Sequence, residues 1–248
     1  MSIKKVLESP AGEKPKRRRT SASKSELSIK KKIIRIQDGM NSLFYHMERE
    51  ISAAILTLLT GETMIIVGEP GTAKTLMINT LARYVDGNFF FYQLSQFTKP
   101  EELLGPVDIP SLREGTLRRI TRNRLPEADI AFLDEIFKAS VAIRNYLLDI
   151  ILFKRVMDGG EYMKIPLLAL YTSSNEISED EEDAAFYDRL LIRVFQRFAE
   201  DEKGMTEIII RGARLEAVNI EIEPIMTISD VREAQGLVLS HMREIAPI

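Results

Sequence analysis

The chain has 248 residues, of which 45% are hydrophobic and 29% charged, a balance typical of a soluble globular protein with one large domain. It contains no cysteine, which excludes a disulfide framework and thiolate metal ligation. The two histidines, His46 and His241, are far apart in sequence, so a histidine-based metal site is not expected. No apolar run approaches the ~20 residues that span a bilayer, and no secretory signal is visible. We therefore expect a cytoplasmic protein that does not enter a membrane.

The net charge of −3 is unevenly distributed along the chain. Residues 1–32 carry eleven Lys/Arg and three Asp/Glu, about +8, which leaves about −11 on the remainder. With almost no apolar periodicity, residues 1–32 are predicted to form a disordered basic tail. Two interpretations of the tail remain open: a flexible solubilising arm, or an electrostatic contact for nucleic acid or another polyanion.

The first half of the remaining chain alternates between helical and strand-like patterns. A helix is predicted over "SLFYHMEREISAAILTLLTGE", residues 42–62, and ended by Gly61. "TMIIVG" follows as a buried strand, and a helix is predicted from Lys74 to Val85. "NFFFYQLS" is rich in aromatic residues and predicts a further strand. "KPEELLGP" predicts a short helix that is broken at Gly105-Pro106.

The second half continues the alternation. "VDIPSLREGTLRRITRNRLPEA" is interpreted as an insertion with short strands, and "DIAFLDEI" as a buried strand ending in two acids. A helix over "SVAIRNYLLDIILFKR" precedes a hairpin in "KRVMDGGEYMKIP", with Asp158-Gly159 at its tip. "LLALYTSSN" predicts a strand, "AAFYDRLLIRVFQRFAE" a helix, and "SDVREAQGLVLSHMREI" a last amphipathic piece. This order predicts an α/β fold with a parallel sheet flanked by helices on both faces.

The stretch "GEPGTAKT" differs from the phosphate-binding pattern G-x-x-x-x-G-K-[ST] only at Ala73. Because it lies between a strand and a helix, its amide N–H groups and the positive helix end would converge on phosphates. Lys74 is predicted to reach the β and γ phosphates, and the Thr75 hydroxyl to bind Mg²⁺. Ala73 is expected to have a right-handed backbone conformation. The alternative is an ordinary lysine-bearing turn. The predicted nucleotide-binding residues are Gly68, Glu69, Pro70, Gly71, Thr72, Ala73, Lys74, Thr75 and Leu76.

Two adjacent acids end the strand in "IAFLDEI", about 60 residues after this loop. Asp134 is predicted to lie near the metal, and Glu135 to act on an attacking water. Together with the loop, these acids predict a site that binds a nucleoside triphosphate.

Several of these motifs, in this order and spacing, resemble the MoxR family of AAA+ ATPases, and most closely its RavA-like branch. The resemblance covers residues 40–200. It rests on "MEREISAAILTLLTGE", "GEPGTAKT", "FTKPEELLGPVDI", "LPEADIAFLDEIFKAS", "YTSSNE" and "FYDRLLIR". It implies an AAA+ P-loop fold with inserted β-hairpins, and ATP hydrolysis with Mg²⁺.

The resemblance assigns three further kinds of residue. Asn175 matches the polar sensor that orients the attacking water; from pattern alone it is a turn residue. Arg189 matches the arginine finger that reaches a neighbouring subunit, with Arg193 and Arg197, one and two helical turns further, as substitutes; the alternative is a surface ion pair. Two pore-facing hairpins would be "SLREGTLRRITRN" and "KRVMDGGEYMKI". The arginines of the first contact a client or nucleic acid, or are solvated charges: Arg113, Arg118, Arg119, Arg122 and Arg124.

The family also implies a homo-oligomeric ring, expected to be a hexamer, and chaperone-like remodelling of a protein partner with a von Willebrand factor A domain. Two alternatives stay open: a nucleic-acid-stimulated motor or loader, and an ATP-responsive binding module with little turnover. The predicted organisation is a tail over 1–32, a nucleotide-binding core over 33–200, and a linker with an amphipathic helix over 201–248. The family's helical lid would begin where this chain stops, so the lid is expected to be absent or truncated. The family usually has an acidic-basic pair near the end of the helix that follows "DEI". In this sequence Phe153-Lys154 stands there instead.

Overall fold

The structure is a computed structural model that describes residues 24–176, 184, 186–197, 204, 206–207, 210 and 222–245. Residues 1–23, the larger part of the predicted tail, and most of the predicted linker over 201–221 lie outside the described residues. In the described part of the chain, no helix is both long and apolar enough to cross a membrane.

The elements alternate along the chain as the sequence pattern predicts. The described helices are α1 (Lys24–Leu43), α2 (Glu48–Thr60), α3 (Lys74–Arg83), α4 (Pro100–Leu104), α5 (Ile109–Arg113), α6 (Val141–Phe153) and α7 (Ile228–Ile245). The described strands are β1 (Thr63–Gly68), β2 (Val85–Asp86), β3 (Phe89–Gln93), β4 (Ile130–Asp134), β5 (Arg155–Asp158), β6 (Glu161–Lys164), β7 (Ala169–Ser174), β8 (Ile192–Gln196) and β9 (Met226–Thr227).

Five of the strands form one parallel sheet in the order β3-β4-β7-β1-β8. The predicted parallel α/β fold is therefore confirmed. Strand β7 lies between β4 and β1, although it follows both in sequence. The chain must cross the sheet to make this order, and the crossover connections carry the helices onto both faces.

Side chains of β1 alternate between two apolar layers. Met64 and Ile66 pack on the side of α1, α2 and α3, whereas Ile65 and Val67 pack on the side of α4 and α6. All six residues of β1 are buried, because both faces of the sheet are covered. This buried inner strand places the loop that follows Gly68 at the carboxyl edge of the sheet.

Two predicted helices differ from the observed elements. The helix predicted over 42–62 is interrupted: α1 ends at Leu43, His46 has a φ of 53°, and α2 begins at Glu48. Gly61 does end α2, in the left-handed conformation that favours glycine. In the second case, Ile192–Gln196 is strand β8, not helix, and pairs in parallel with β1. Val194 and Gln196 are buried while Arg193 and Phe195 are exposed, which is the alternation of a strand.

The terminal helices α1 and α7 pack against each other and against α2. Lys32 of α1 pairs with Asp230 of α7, with 2.7 Å between Nζ and Oδ2. The structure also differs from the predicted tail boundary, since Lys24–Lys32 are helical. Ile29 and Ile36 give α1 a buried face, and this packing stabilises the helix despite its basic composition.

The predicted hairpin is present as β5 and β6, which pair antiparallel. Its two-residue turn is Gly159-Gly160, both with positive φ, so the tip lies one residue beyond the predicted position.

The first insertion is less strand-like than predicted. It contains the short helix α5 and a single antiparallel bridge between Val107 and Arg119. The Arg119 guanidinium donates to the carbonyl of Gly105 at 3.0 Å, and that of Arg124 donates to the carbonyl of Glu102 at 3.0 Å. These two arginines therefore hold the insertion to the core, whereas Arg113, Arg118 and Arg122 are exposed.

Candidate active site

The predicted site residues meet at one edge of the sheet. Strand β7 pairs with β1 on one side and β4 on the other, so the carboxyl ends of the three strands are neighbours. Gly68 is the last residue of β1 and begins the loop, Asp134 ends β4 with Glu135 directly after it, and Asn175 follows β7. In open α/β sheets this edge is where ligands bind.

The loop between β1 and α3 is a tight turn with unusual backbone angles. Gly71 has a φ of 81°, and Ala73 has φ 61° and ψ 22°. The expectation of a right-handed conformation at Ala73 is therefore wrong: the loop geometry places a left-handed residue immediately before α3, and alanine occupies it at a cost. A side chain on Gly68 would lie 2.5 Å from the carbonyl oxygen of Gln196, so only glycine fits there.

Lys74 is buried beneath this loop. Its ammonium donates to the carbonyls of Gly68 at 2.5 Å and Glu69 at 2.9 Å, and to Oδ1 of Asn175 at 3.0 Å. Burial lowers the pKa of this ammonium from its usual value, and the nearby carboxylates of Asp134 and Glu135 oppose that shift. Phosphate oxygens carry negative charge and attract an ammonium more strongly than neutral carbonyl oxygens do, so a bound phosphate can replace these partners.

Asp134 lies next to the first turn of α3. Oγ1 of Thr75 is 3.4 Å from Oδ2 of Asp134, while Ser173 and the amide of Glu135 donate to Oδ1. A hydroxyl and a carboxylate are ligands that suit Mg²⁺, which binds proteins through one or two groups and takes the rest from phosphates and water. No group of three or more His, Cys, Asp or Glu that could hold a metal occurs among the described residues.

Glu135 has a constrained main chain and an unequally bonded carboxylate. Its φ is 58° and its ψ is 48°, in the left-handed region. Oε1 accepts a hydrogen bond from Asn175 Nδ2 at 2.5 Å and lies 3.1 Å from Nζ of Lys138. Oε2 is buried and has no hydrogen-bond partner within the described part of the chain. One oxygen is thus held in place and the other remains able to accept a proton.

The remaining predicted residues lie at the rim of the site or beyond it. Glu69, Pro70, Gly71 and Leu76 are exposed around the loop. Arg189 is exposed in the turn before β8.

The two substitutes for Arg189 lie on or beside β8, not on a helix as predicted. Arg193 is engaged locally: its guanidinium stacks 4.3 Å from the Tyr187 ring centre and donates to the carbonyls of Tyr187 and Leu190. Arg197 is exposed directly after β8.

Three residues of the site were missed by sequence reasoning. Ser173 lies in the predicted strand two residues before Asn175, and Lys138 follows Glu135 by three residues, so both had a positional signal. Gln196 had none, because its side chain reaches the loop only through the pairing of β8 with β1. Its Nε2 donates to the carbonyl of Thr72 at 2.5 Å.

A five-stranded parallel sheet, a phosphate-type loop after β1 and acids after β4 define an α/β P-loop protein with the AAA+ fold. The chain belongs to the MoxR family of AAA+ ATPases: residues 31–236 match the family described as the MoxR domain in the MoxR-vWA-beta-propeller ternary systems. The predicted family is thereby confirmed, while the RavA-like branch stays a prediction.

Known proteins are similar to parts of this chain. An uncharacterised protein of Methanocaldococcus jannaschii is 37% identical over 182 residues, which are 73% of this chain and 48% of that protein. Chaperone MoxR1 of Mycobacterium tuberculosis is 27% identical over 165 residues, 65% of this chain and 43% of the chaperone. A crystal structure of a proposed ATPase from Cytophaga hutchinsonii has a TM-score of 0.69 at 21% identity and covers 86% of this chain and 64% of its own. The chain thus spans about half the length of the Methanocaldococcus jannaschii protein and of chaperone MoxR1.

Proposed function

We propose that this chain binds ATP with Mg²⁺ and hydrolyses it, and that the cycle drives the remodelling of a protein partner. The observation that carries the proposal is a continuous hydrogen-bonded network beside the loop. Lys74 donates to Oδ1 of Asn175, and Nδ2 of Asn175 donates to Oε1 of Glu135. Three groups with separate roles in phosphoryl transfer are therefore linked at one sheet edge.

Each residue of this hydrogen-bonded network has a role that follows from its chemistry. The loop amides and the Lys74 ammonium would bind the triphosphate. Its oxygens would replace the carbonyl oxygens that Lys74 now contacts. Oε2 of Glu135 would accept a proton from an attacking water, since this oxygen is buried and unpaired in the described residues. Asn175, which holds the other oxygen of Glu135, would orient that water relative to the terminal phosphate.

Thr75 and Asp134 are the residues that would hold Mg²⁺. When bound, the ion neutralises charge on the phosphate oxygens. The hydrogen bonds from Ser173 and the Glu135 amide to Oδ1 leave Oδ2 of Asp134 directed toward Thr75. This second set of contacts supports the assignment, because ligating carboxylates are usually oriented by such bonds.

The proposal includes a ring, expected to be a hexamer, in which Arg189 completes the site of a neighbour. Arg189 is exposed, and it precedes β8, whose last residue bonds to the loop of its own subunit. A protein with a von Willebrand factor A domain is the proposed partner, because the matched family is named for systems that contain one. Remodelling of that partner is the proposed outcome of the cycle.

Two substitutions test nucleotide binding and hydrolysis separately. Lys74→Ala removes the phosphate-binding ammonium, so titration calorimetry with Mg·ATP should show affinity reduced by about a hundredfold or more. Glu135→Gln keeps that ammonium but removes the base, so binding should persist while phosphate release falls at least about a hundredfold. Lys30→Ala, on the exposed face of α1, is the matched control. Undiminished hydrolysis by Glu135→Gln would eliminate the assignment of the base.

A mixing experiment tests the role of Arg189. Arg189→Ala alone should bind Mg·ATP and release little phosphate. Mixed with Glu135→Gln, it should recover part of the activity, since some interfaces then combine an intact Glu135 with an intact Arg189. Absence of recovery in rings shown to be mixed would contradict action in trans. Binding without turnover by the wild-type chain, in conditions that permit rings, would favour an ATP-responsive binding module.

A further inference from the structure

The carboxylate of Glu135 has a cationic neighbour besides the side-chain amide of Asn175. Lys138 ends the short 3-10 turn Ile136–Lys138 that follows β4, and its Nζ lies 3.1 Å from Oε1 of Glu135. Asn175 Nδ2 lies 2.5 Å from the same oxygen. The amide and the ammonium therefore both face Oε1, whereas Oε2 has no hydrogen-bond partner within the described residues. This division sets which oxygen of the carboxylate is left for a proton transfer.

The ion pair connects the buried site with the protein surface. The side chain of Glu135 is 9% exposed, whereas that of Lys138 is 56% exposed. The ammonium remains partly hydrated, so the pair avoids most of the desolvation cost of a fully buried ion pair. Coulomb attraction at 3.1 Å favours the carboxylate rotamer that keeps Oε1 beside the ammonium.

We propose that Lys138 is a positioning residue for hydrolysis, which rests on the proposed role of Glu135 as the base. Lys138 holds Oε1, and the left-handed main chain at Glu135 sets the direction in which the carboxylate leaves β4. With both constraints present, Oε2 faces the position of the attacking water. With Lys138 absent, Asn175 alone holds a carboxylate that can rotate, and Asn175 is also bonded to Lys74.

The main chain around Lys138 does not depend on its side chain. The amide of Lys138 donates to the carbonyl of Glu135 at 2.9 Å, and this bond closes the turn. The adjacent Ile136 is fully buried and anchors the turn in the core. Removal of the Lys138 ammonium should therefore leave the fold and the phosphate loop intact.

The test compares Lys138→Met and Lys138→Arg in the full chain under conditions that permit rings. For Lys138→Met we expect kcat to fall about tenfold with the KM for ATP unchanged, because positioning of the base acts on the chemical step. Lys138→Arg keeps the charge and should restore most of kcat. In a Glu135→Gln background, Lys138→Met should have no additional effect. Lys30→Met on α1 is the matched control, and thermal unfolding checks that each variant is folded.

Several results would overturn this inference. Wild-type kcat in Lys138→Met would do so, and so would a fall in kcat that Lys138→Arg does not restore. An additional loss in the Glu135→Gln background would assign Lys138 to a different step. These failures are distinguishable from failure of the proposed function, which is shown by full activity of Glu135→Gln or by a wild-type chain that binds Mg·ATP without turnover. Either of those last results overturns both proposals.

Discussion

The side-chain amide of Gln196 donates a hydrogen bond to the carbonyl of Thr72, with 2.5 Å between Nε2 and O. Gln196 is the last residue of β8, and Thr72 lies within the phosphate-type loop. The backbone of Gln196 also pairs with Gly68, where a side chain would collide with it. One residue of the edge strand thus supports both ends of the loop, and it also joins the loop to the segment that carries Arg189.

Replacement of Gln196 tests this support. Gln196→Leu keeps the volume but removes the donor to Thr72, so the loop loses a constraint and should pay more entropy to bind phosphate. We expect the dissociation constant for Mg·ATP to rise about tenfold, measured by titration calorimetry. The fold should tolerate the change, since Oε1 of Gln196 is itself buried without a partner among the described residues. Unchanged affinity in Gln196→Leu would contradict the supporting role.

Ala73→Gly should stabilise the protein. The left-handed conformation costs a non-glycine residue about 1–2 kcal/mol, and glycine removes this cost. The greater freedom of glycine in the unfolded chain opposes the stabilisation by about 0.5–1 kcal/mol. The free energy of unfolding should therefore rise by about 0.5–1 kcal/mol in urea titrations. Ala53→Gly, inside α2, is the opposite control and should lose about 1 kcal/mol. Equal destabilisation by both changes would show that Ala73 is not strained.

The affinity for ATP should fall at alkaline pH. Burial lowers the pKa of the Lys74 ammonium below the ordinary lysine value of about 10.4, while Asp134 and Glu135 oppose the shift. Phosphates favour the charged form, so as pH rises through the lowered pKa, binding must first recover a proton and weakens. Calorimetry between about pH 7 and about pH 10 measures this dependence. Lys74→Arg stays charged throughout and should lack this loss, even though its overall affinity is lower. An identical slope in both proteins would assign the titration elsewhere.

Lys154→Met should also stabilise the protein. Lys154 ends α6 with a φ of 50°, and its buried Nζ has no hydrogen-bond partner within the described residues. Burial lowers the pKa of this amine, opposed by Glu62. Removal of the amine should raise the free energy of unfolding by about 1–3 kcal/mol near neutral pH.

The effect of Lys154→Met should depend on pH in a defined direction. Because the folded-state pKa is lowered, the unfolded chain binds more protons, and the wild type gains stability as pH rises from the folded pKa toward about 10.4. The advantage of Lys154→Met should therefore shrink between about pH 7 and about pH 9.5 in urea titrations. Lys164→Met, on the exposed strand β6, is the control and should change stability by less than about 0.5 kcal/mol. An advantage that grows with pH would reverse the assigned cause.

The sequence alone determined the elements whose signals are local. The apolar run of β1, the glycines of the loop and the periodic helix after it predict a strand, a turn and a helix in that order. The acids at the end of β4 were likewise predictable, because parallel strands end at one edge. These signals concern neighbouring residues, so no knowledge of distant contacts was needed. The sensor role of Asn175 came only from the family resemblance, since the pattern alone favours a turn residue.

The tertiary structure decided the elements whose local pattern was ambiguous. "IRVFQ" fits a helix or a strand, and its hydrogen bonds with β1 made it β8. The backbone at Ala73, the bond from Gln196 to Thr72 and the pair of Lys138 with Glu135 likewise depend on how separate segments meet. Each of these contacts gains its energy only after the sheet has assembled, and a one-dimensional pattern does not contain that information.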